Sequence, residues 1–189
     1  MIVNSLYHQT SNNINQELIW IRNSKKNPNN FSSLYNKYYD QIYRYVNHKI
    51  SDRQLTDDIT SQVFIKAMNN IHKYEYRGVP FSSWLYRIAK SEIYQSFRNR
   101  KSSKLINFGD MNLFSFVTEK EENQSNDNKI RLMNSLKSLK SKDLNIIELR
   151  YFERRSYREI GTILKITENN AKVKSYRALR RLKKIFLEK

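Results

Sequence analysis

The chain has 189 residues, and its 35 Lys and Arg against 18 Asp and Glu produce a formal net charge of +17. A surplus of this size predicts a polyanionic partner, with nucleic acid favoured over a membrane surface or a merely soluble basic protein. The absence of cysteine excludes disulfides and cysteine-ligated zinc, no apolar run approaches the ~20 residues that span a bilayer, and residues 1–16 lack the pattern of a secretory signal.

Four helices are predicted in the first half of the chain, over about 14–23, 31–49, 55–71 and 81–101, from apolar residues at helical spacing. A turn at 27–30 separates the first two helices and supplies an N-cap. The tyrosine-rich second helix is predicted to pack against the third. Asp57 and Asp58 are placed near the first turn of the third helix, where the helix dipole favours anions, so capping is preferred there over a metal site.

An acidic stretch separates this part from the rest. Residues 105–128 carry one basic and five acidic side chains, whereas residues 129–189 carry 18 and six. Four more helices are predicted, over about 129–138, 142–152, 156–164 and 168–187. Ser156 and Glu159 form a capping box, and Thr167 is placed to cap the last helix. The predicted fold is all-α, with two small helical domains, 1–102 and 129–189, joined by a flexible acidic linker, 103–128.

The last two helices match a helix-turn-helix, whose second helix would insert its N-terminal residues into the major groove. Asn pairs with adenine, Glu accepts from cytosine and Lys reaches guanine, whereas the following cations suit phosphates. An ordinary helical hairpin with a solvated basic face is the simpler alternative. The candidate DNA-binding residues are Glu168, Asn169, Asn170, Lys172, Lys174, Arg177, Arg180 and Arg181.

A second candidate site interleaves aromatic rings with cations between residues 74 and 90. Unpaired bases stack on rings while cations follow the phosphates, so this pattern suits single-stranded nucleic acid. Phe81 and Trp84 lie on the apolar side of the predicted helix and are expected in the core. For Tyr74, Tyr76 and Tyr86, core and base stacking remain equal alternatives.

Nothing in the sequence predicts an enzyme. His8, His48 and His72 are scattered without metal-ligand spacing, and no glycine-rich phosphate loop is present. A nuclease would need clustered carboxylates or histidines. Neither a metal nor another cofactor is therefore expected.

Three segments together resemble a known family. The segment from Tyr76 to Lys90, YRGVPFSSWLYRIAK, resembles the promoter-melting segment of extracytoplasmic-function (ECF) sigma factors of bacterial RNA polymerase. The segment from Asp57 to Phe64 resembles the helix that docks on the clamp helices of the polymerase, and residues 157–182 resemble the helix-turn-helix for the minus-thirty-five element. The resemblance covers roughly residues 15–102 and 129–186.

The resemblance implies a cytoplasmic initiation factor that binds core RNA polymerase and promoter DNA in double- and single-stranded form. The second domain would also contact the polymerase flap, the linker would thread a channel meant for nucleic acid, and an anti-sigma partner is possible. The polymerase-binding residues would be Asp57, Asp58, Ser61, Gln62 and Ile65. The minus-ten residues would be Tyr74, Tyr76, Arg77, Tyr86, Arg87, Lys90, Arg98, Arg100 and Lys101.

Two other kinds of protein would explain part of the chain. A stand-alone helix-turn-helix regulator accounts for the last sixty residues but leaves the aromatic and cationic first domain without a role. An RNA-binding or ribosome-associated protein accounts for the charge but predicts no reader of the major groove.

Overall fold

A computed structural model describes residues 11–50, 52–99 and 126–188, which fold as helices without a strand. They divide into two compact units, one of residues 11–47 and 52–99 and one of residues 48–50 and 126–188. The predicted all-α class is confirmed. The first unit contains α1 (Ser11–Lys26), α2 (Ser32–Asn47), α3 (Arg53–Asn69) and α4 (Phe81–Asn99), and the second contains α5 (Asn126–Lys137), α6 (Ser141–Ile147), α7 (Tyr157–Leu164) and α8 (Glu168–Glu188).

The core of the first unit lies between α2, α3 and α4. Leu34 and Ile42 of α2, Val63 of α3 and Leu85 of α4 are fully buried, as expected when apolar residues recur on one side of each helix. The predicted packing of the tyrosine-rich helix on its neighbour is confirmed by the ring of Phe64, whose centre lies 4.9 Å from that of Tyr35 and 5.9 Å from that of Tyr39.

Local hydrogen bonds set the helix starts in this unit. The turn predicted at 27–30 contains a cap, since Asn27 accepts from the Asn29 amide at 3.0 Å, and the element that it begins is a short 3-10 turn, Pro28–Phe31. The cap of α3 differs from the prediction, because Asp52 accepts from the Leu55 amide at 3.0 Å. Asp57 and Asp58 therefore lie in the second turn, exposed to solvent, and do not cap the helix.

The second unit departs from the predicted bounds at two places. α5 begins at Asn126 rather than near residue 129, and Asp127 in its first turn suits the positive end of the helix. The predicted helix 142–152 is regular only as far as Ile147 and continues as a π-helical turn, Glu148–Phe152. Residues 100–125, with Arg100, Lys101 and most of the predicted linker, lie outside the described residues.

Two general features bear on function. No helix in the described part of the chain is long and apolar enough to cross a bilayer. Those same ranges contain no group of three or more His, Asp or Glu side chains that could hold a metal ion.

Candidate nucleic-acid interface

The helix-turn-helix begins with the predicted capping box. The Glu159 amide donates to Ser156 Oγ at 3.2 Å, and the Ser156 amide donates to Glu159 Oε2 at 2.9 Å. Both groups would otherwise be orphan donors at the start of α7. The prediction is confirmed, and the capping box fixes where the first helix of the motif starts.

The turn between α7 and α8 depends on one glycine and one left-handed residue. Lys165 adopts a φ of 56°, and the Ile166 amide donates to the Gly161 carbonyl at 2.9 Å. A Cβ at Gly161 would lie 2.8 Å from the Ile166 carbonyl oxygen, so only glycine admits this approach. Thr167 Oγ1 then accepts from the Asn170 amide at 3.2 Å, as predicted.

Arg155, a buried arginine that the sequence pattern did not indicate, lies just before α7 and supports the start of the motif. Arg155 is 2% exposed and donates from Nη1 to Glu159 Oε1 at 3.2 Å and from Nε to the Glu153 carbonyl at 2.9 Å. Glu159 thus serves both the cap and the buried cation. The sequence did not indicate that Arg155 is buried, because a buried arginine looks the same in the sequence as the solvated arginines around it.

The outer side of α8 carries the predicted DNA-binding residues. Ala171, Ala178 and Leu182 face the core of the unit. Arg181 Nη1 donates to both carboxylate oxygens of Asp143, at 2.7 and 2.8 Å, so part of its donor capacity is already used. All eight predicted residues, Glu168, Asn169, Asn170, Lys172, Lys174, Arg177, Arg180 and Arg181, are exposed.

Tyrosines that the sequence did not single out lie beside this surface. The Tyr157 ring centre at the start of α7 lies 6.4 Å from that of Tyr176, which is exposed on α8. The Arg150 guanidinium lies 4.5 Å from the Tyr157 ring centre. Burial, and next the neighbouring Tyr157, raise the pKa of Tyr151. Tyr176 follows Lys172 by four residues, and that spacing places both on one face of α8.

Two predicted base-stacking tyrosines of the first unit are core residues instead. Tyr86 is 0% exposed, with its ring centre 4.7 Å from that of Tyr45, and Tyr74 is 6% exposed between the rings of Phe81 and Trp84, at 5.0 and 5.3 Å. Burial, and then the nearby Glu17 carboxylate, raise the pKa of Tyr74. Neither ring is available to an incoming base, because both are buried in the core, where an aromatic ring gains free energy from leaving water. The core position expected for Phe81 is confirmed.

The loop between Tyr74 and Phe81 still presents an aromatic and cationic surface. Tyr76 is 42% exposed, and Arg77 is exposed beside it. Gly78 follows with a φ of 70°. Burial lowers the pKa of the Arg87 guanidinium, and the neighbouring Arg77 lowers it further. The two guanidinium groups therefore concentrate positive charge at one place, which suits a phosphate.

The cationic surface continues along α4. Lys90 Nζ lies 5.8 Å from the ring centre of Tyr94, which is exposed and which sequence reasoning missed. Arg98 follows one turn later and is exposed. Spacings of three and four residues place Arg87, Lys90, Tyr94 and Arg98 on one face. These side chains interleave three cations with one exposed ring along α4.

The outer face of α3 presents the predicted polymerase-binding set. Ile65 is 44% exposed although it is a large apolar side chain. The four polar members, Asp57, Asp58, Ser61 and Gln62, are also exposed. Their helical spacing places them on one side, away from Ile59 and Val63, which are buried.

Each of the two units matches the profile of a known protein family. Residues 34–103 match the profile of sigma-70 region 2, and residues 135–184 match that of sigma-70 region 4. The chain belongs to the sigma-70 family of RNA polymerase sigma factors. This sigma factor is 25% identical over 157 residues to the ECF sigma factor BldN of Streptomyces coelicolor, with 82% of the chain and 60% of BldN covered.

Shorter relatives are covered more fully. The sigma factor SigZ of Bacillus subtilis is 26% identical over 156 residues, with 82% of this chain and 86% of SigZ covered. The ECF sigma factor SigM of the same organism is 25% identical over 155 residues, with 81% and 93% covered. The ECF assignment is therefore confirmed, and the chain is a promoter-directing subunit of RNA polymerase. The stand-alone regulator gains no support.

Solved structures show the same fold. CnrH, in complex with the cytosolic domain of CnrY, has a TM-score of 0.63 and 17% identity, covering 89% of this sigma factor and 96% of CnrH. RpoE of Bartonella quintana, in complex with the anti-sigma factor NepR, has a TM-score of 0.56 and 17% identity, covering 82% and 95%. α1 precedes the region 2 match, which begins at residue 34.

Proposed function

We propose that this sigma factor divides promoter recognition between its two units, with region 4 reading the minus-thirty-five duplex and region 2 opening the minus-ten element. The observation that carries the proposal is the one-sided surface of α8, whose predicted DNA-binding residues are all exposed while its alanines are buried. A short turn leads directly into these residues, as major-groove insertion requires.

In region 4, residues near the start of α8 are the candidates for base contacts. Asn169 and Asn170 suit adenine and Lys172 suits guanine, whereas Arg177 and Arg180 follow along the helix and suit phosphates. Tyr176 adds an exposed ring and hydroxyl on the face of Lys172. The bound Asp143 makes Arg181 a weaker candidate for phosphate than its neighbours.

In region 2, the loop with Tyr76 and the outer face of α4 are the candidates for the unpaired strand. An exposed ring contributes about 1–3 kcal/mol for each stacked base. Arg77 and Arg87 would hold the phosphates on either side of a base that has left the duplex. Tyr74 and Tyr86 have no direct part in this proposal because both are buried.

The outer face of α3 is the proposed contact with the clamp helices of core polymerase. Ile65 supplies the exposed apolar group, and Asp57 and Asp58 supply negative charge for a basic partner surface. Region 4 would contact the flap, and the acidic residues 105–128 would follow the channel for nucleic acid. A cytoplasmic protein partner comparable to NepR would control access to these surfaces.

The test is reconstitution with bacterial core RNA polymerase. The tagged full chain should co-purify with core polymerase at moderate salt, and the complex should transcribe fragmented genomic DNA from a defined set of start sites. Ile65→Lys should lower co-purification more than tenfold, since it places a charge in an apolar contact. Asn36→Lys adds the same charge at an exposed position of α2 and should have no effect. Tight binding of a specific duplex without polymerase, together with no polymerase binding, would contradict the proposal.

A further inference from the structure

The loop with Tyr76 and Arg77 is held at both ends by α1, the helix that precedes the region 2 match. At the beginning of the loop, Lys25 Nζ donates to the Tyr74 carbonyl oxygen at 2.7 Å. At its end, the Phe81 amide donates to Glu17 Oε1 at 2.6 Å. Two residues of one helix, two turns apart, therefore contact the two ends of a segment that no regular structure supports.

The contact with Phe81 replaces a missing cap. Phe81 is the first residue of α4, so its amide has no acceptor within the helix. The residue before it is Pro80, which has no side-chain acceptor. Glu17, 64 positions earlier, supplies the carboxylate instead, at the helix end where negative charge is favoured.

Glu17 is itself fixed in place. Its side chain is 1% exposed, and the Tyr38 hydroxyl donates to Oε2, as does Lys37 Nζ at 3.3 Å. A buried carboxylate with several charge-assisted partners has little freedom to move. The end of the loop is therefore tied to a group that α2 also holds.

Between these ends, the loop keeps its functional groups outside. Val79 is buried, whereas Tyr76 and Arg77 are exposed. We propose that Glu17 and Lys25 are positioning residues, which hold this loop in the conformation that receives the unpaired strand. The inference rests on the proposed role of the loop in promoter opening. Fixing the loop beforehand lowers the entropy lost when the strand binds.

Lys25→Met is the variant that tests this role, since it removes the donor and keeps most of the side chain. Arg22→Met is the matched control, because it removes one cation from an exposed position of the same helix. Lys25→Arg restores a donor and should rescue. Glu17→Gln is a second variant, in which the Phe81 amide keeps an oxygen acceptor but loses the charge.

The first readout is hydrogen exchange of the free full chain over residues 74–83. Lys25→Met should speed exchange there by about tenfold, as expected for loss of a hydrogen bond with a charged donor, and Glu17→Gln should act in the same direction. Arg22→Met should leave exchange unchanged. Unchanged exchange in Lys25→Met would overturn the proposal.

The second readout compares two templates with core polymerase and a promoter found by the transcription experiment above. Lys25→Met should lower initiation on the duplex promoter by about tenfold. At saturating template, the loss should be clearly smaller on the same promoter with a non-complementary, already open minus-ten stretch, because no base pairs remain to be opened there. Equal loss on both templates would overturn the proposal by showing a general folding defect. Faster exchange with normal initiation on the duplex would also overturn it, and would place the failure in the proposed role of the loop.

Discussion

Gly161 lies where α7 comes closest to the turn that follows it. Replacing glycine by alanine inside a helix ordinarily stabilises by about 1 kcal/mol. Here the added Cβ would meet the Ile166 carbonyl at 2.8 Å and the Glu168 amide nitrogen at 3.3 Å, and both are backbone atoms. Gly161→Ala should therefore destabilise the protein by about 1–3 kcal/mol, measured by urea denaturation.

Thr162→Ala is the control for this substitution, because it changes the next residue of the same helix at a partly exposed position and should stay within about 0.5 kcal/mol. A stabilising Gly161→Ala would show that the turn yields to the extra methyl group.

Glu159 has two roles, because its carboxylate is part of the capping box and is also the partner of the buried Arg155. Removing it leaves the Arg155 guanidinium without its carboxylate and the Ser156 amide without its cap. Loss of one partner of a buried pair costs about 3–5 kcal/mol, so Glu159→Ala should lower the free energy of unfolding by about that amount in the same denaturation assay. Glu188→Ala, at an exposed acid near the end of α8, should have little effect, and a similar loss in both variants would contradict this account.

At the scale of single elements, α8 is proposed to contact bases with residues near its start and phosphates with the cations that follow. Lys172→Ala combined with Lys174→Ala should abolish promoter use while core polymerase still binds. The affinity of the polymerase complex for promoter DNA, measured by fluorescence anisotropy, should fall by about 1–3 kcal/mol for each lost base contact.

The matched control for α8 is Lys137→Ala with Lys140→Ala, which removes the same charge from exposed positions outside the helix-turn-helix. Loss of polymerase binding in the α8 double variant would contradict the proposed division between the units.

The ends of the helices show which caps can be predicted from neighbouring residues and which cannot. Ser156 with Glu159, and Thr167, were predicted as caps because each acts on neighbouring amides. Asp52 was missed because Asp57 and Asp58, five and six residues later, satisfy the same preference for early acids. The cap of α4 could not be predicted, since its acceptor, Glu17, belongs to another helix.

At the scale of the whole molecule, the charge of +17 predicts that the free chain binds duplex DNA mainly by electrostatic attraction. Without polymerase, its affinity for duplex DNA of unrelated sequence should fall by about a thousandfold between about 50 and about 200 mM salt, as expected for six or more phosphate contacts. Fluorescence anisotropy of a labelled duplex measures this. Binding that does not change with salt would contradict a mainly electrostatic contact.

The sequence by itself determined the all-α class, the helix-turn-helix with its caps and the exposed cations of α8, because helical periodicity and capping act over a few residues. The order of three motifs along the chain also indicated the family. Only the tertiary structure decided which tyrosines are buried, since Tyr carries an apolar ring and a polar hydroxyl and suits either environment. It alone placed Glu17, Lys25 and Arg155, because their partners in space follow from how the chain packs rather than from the spacing of residues along it.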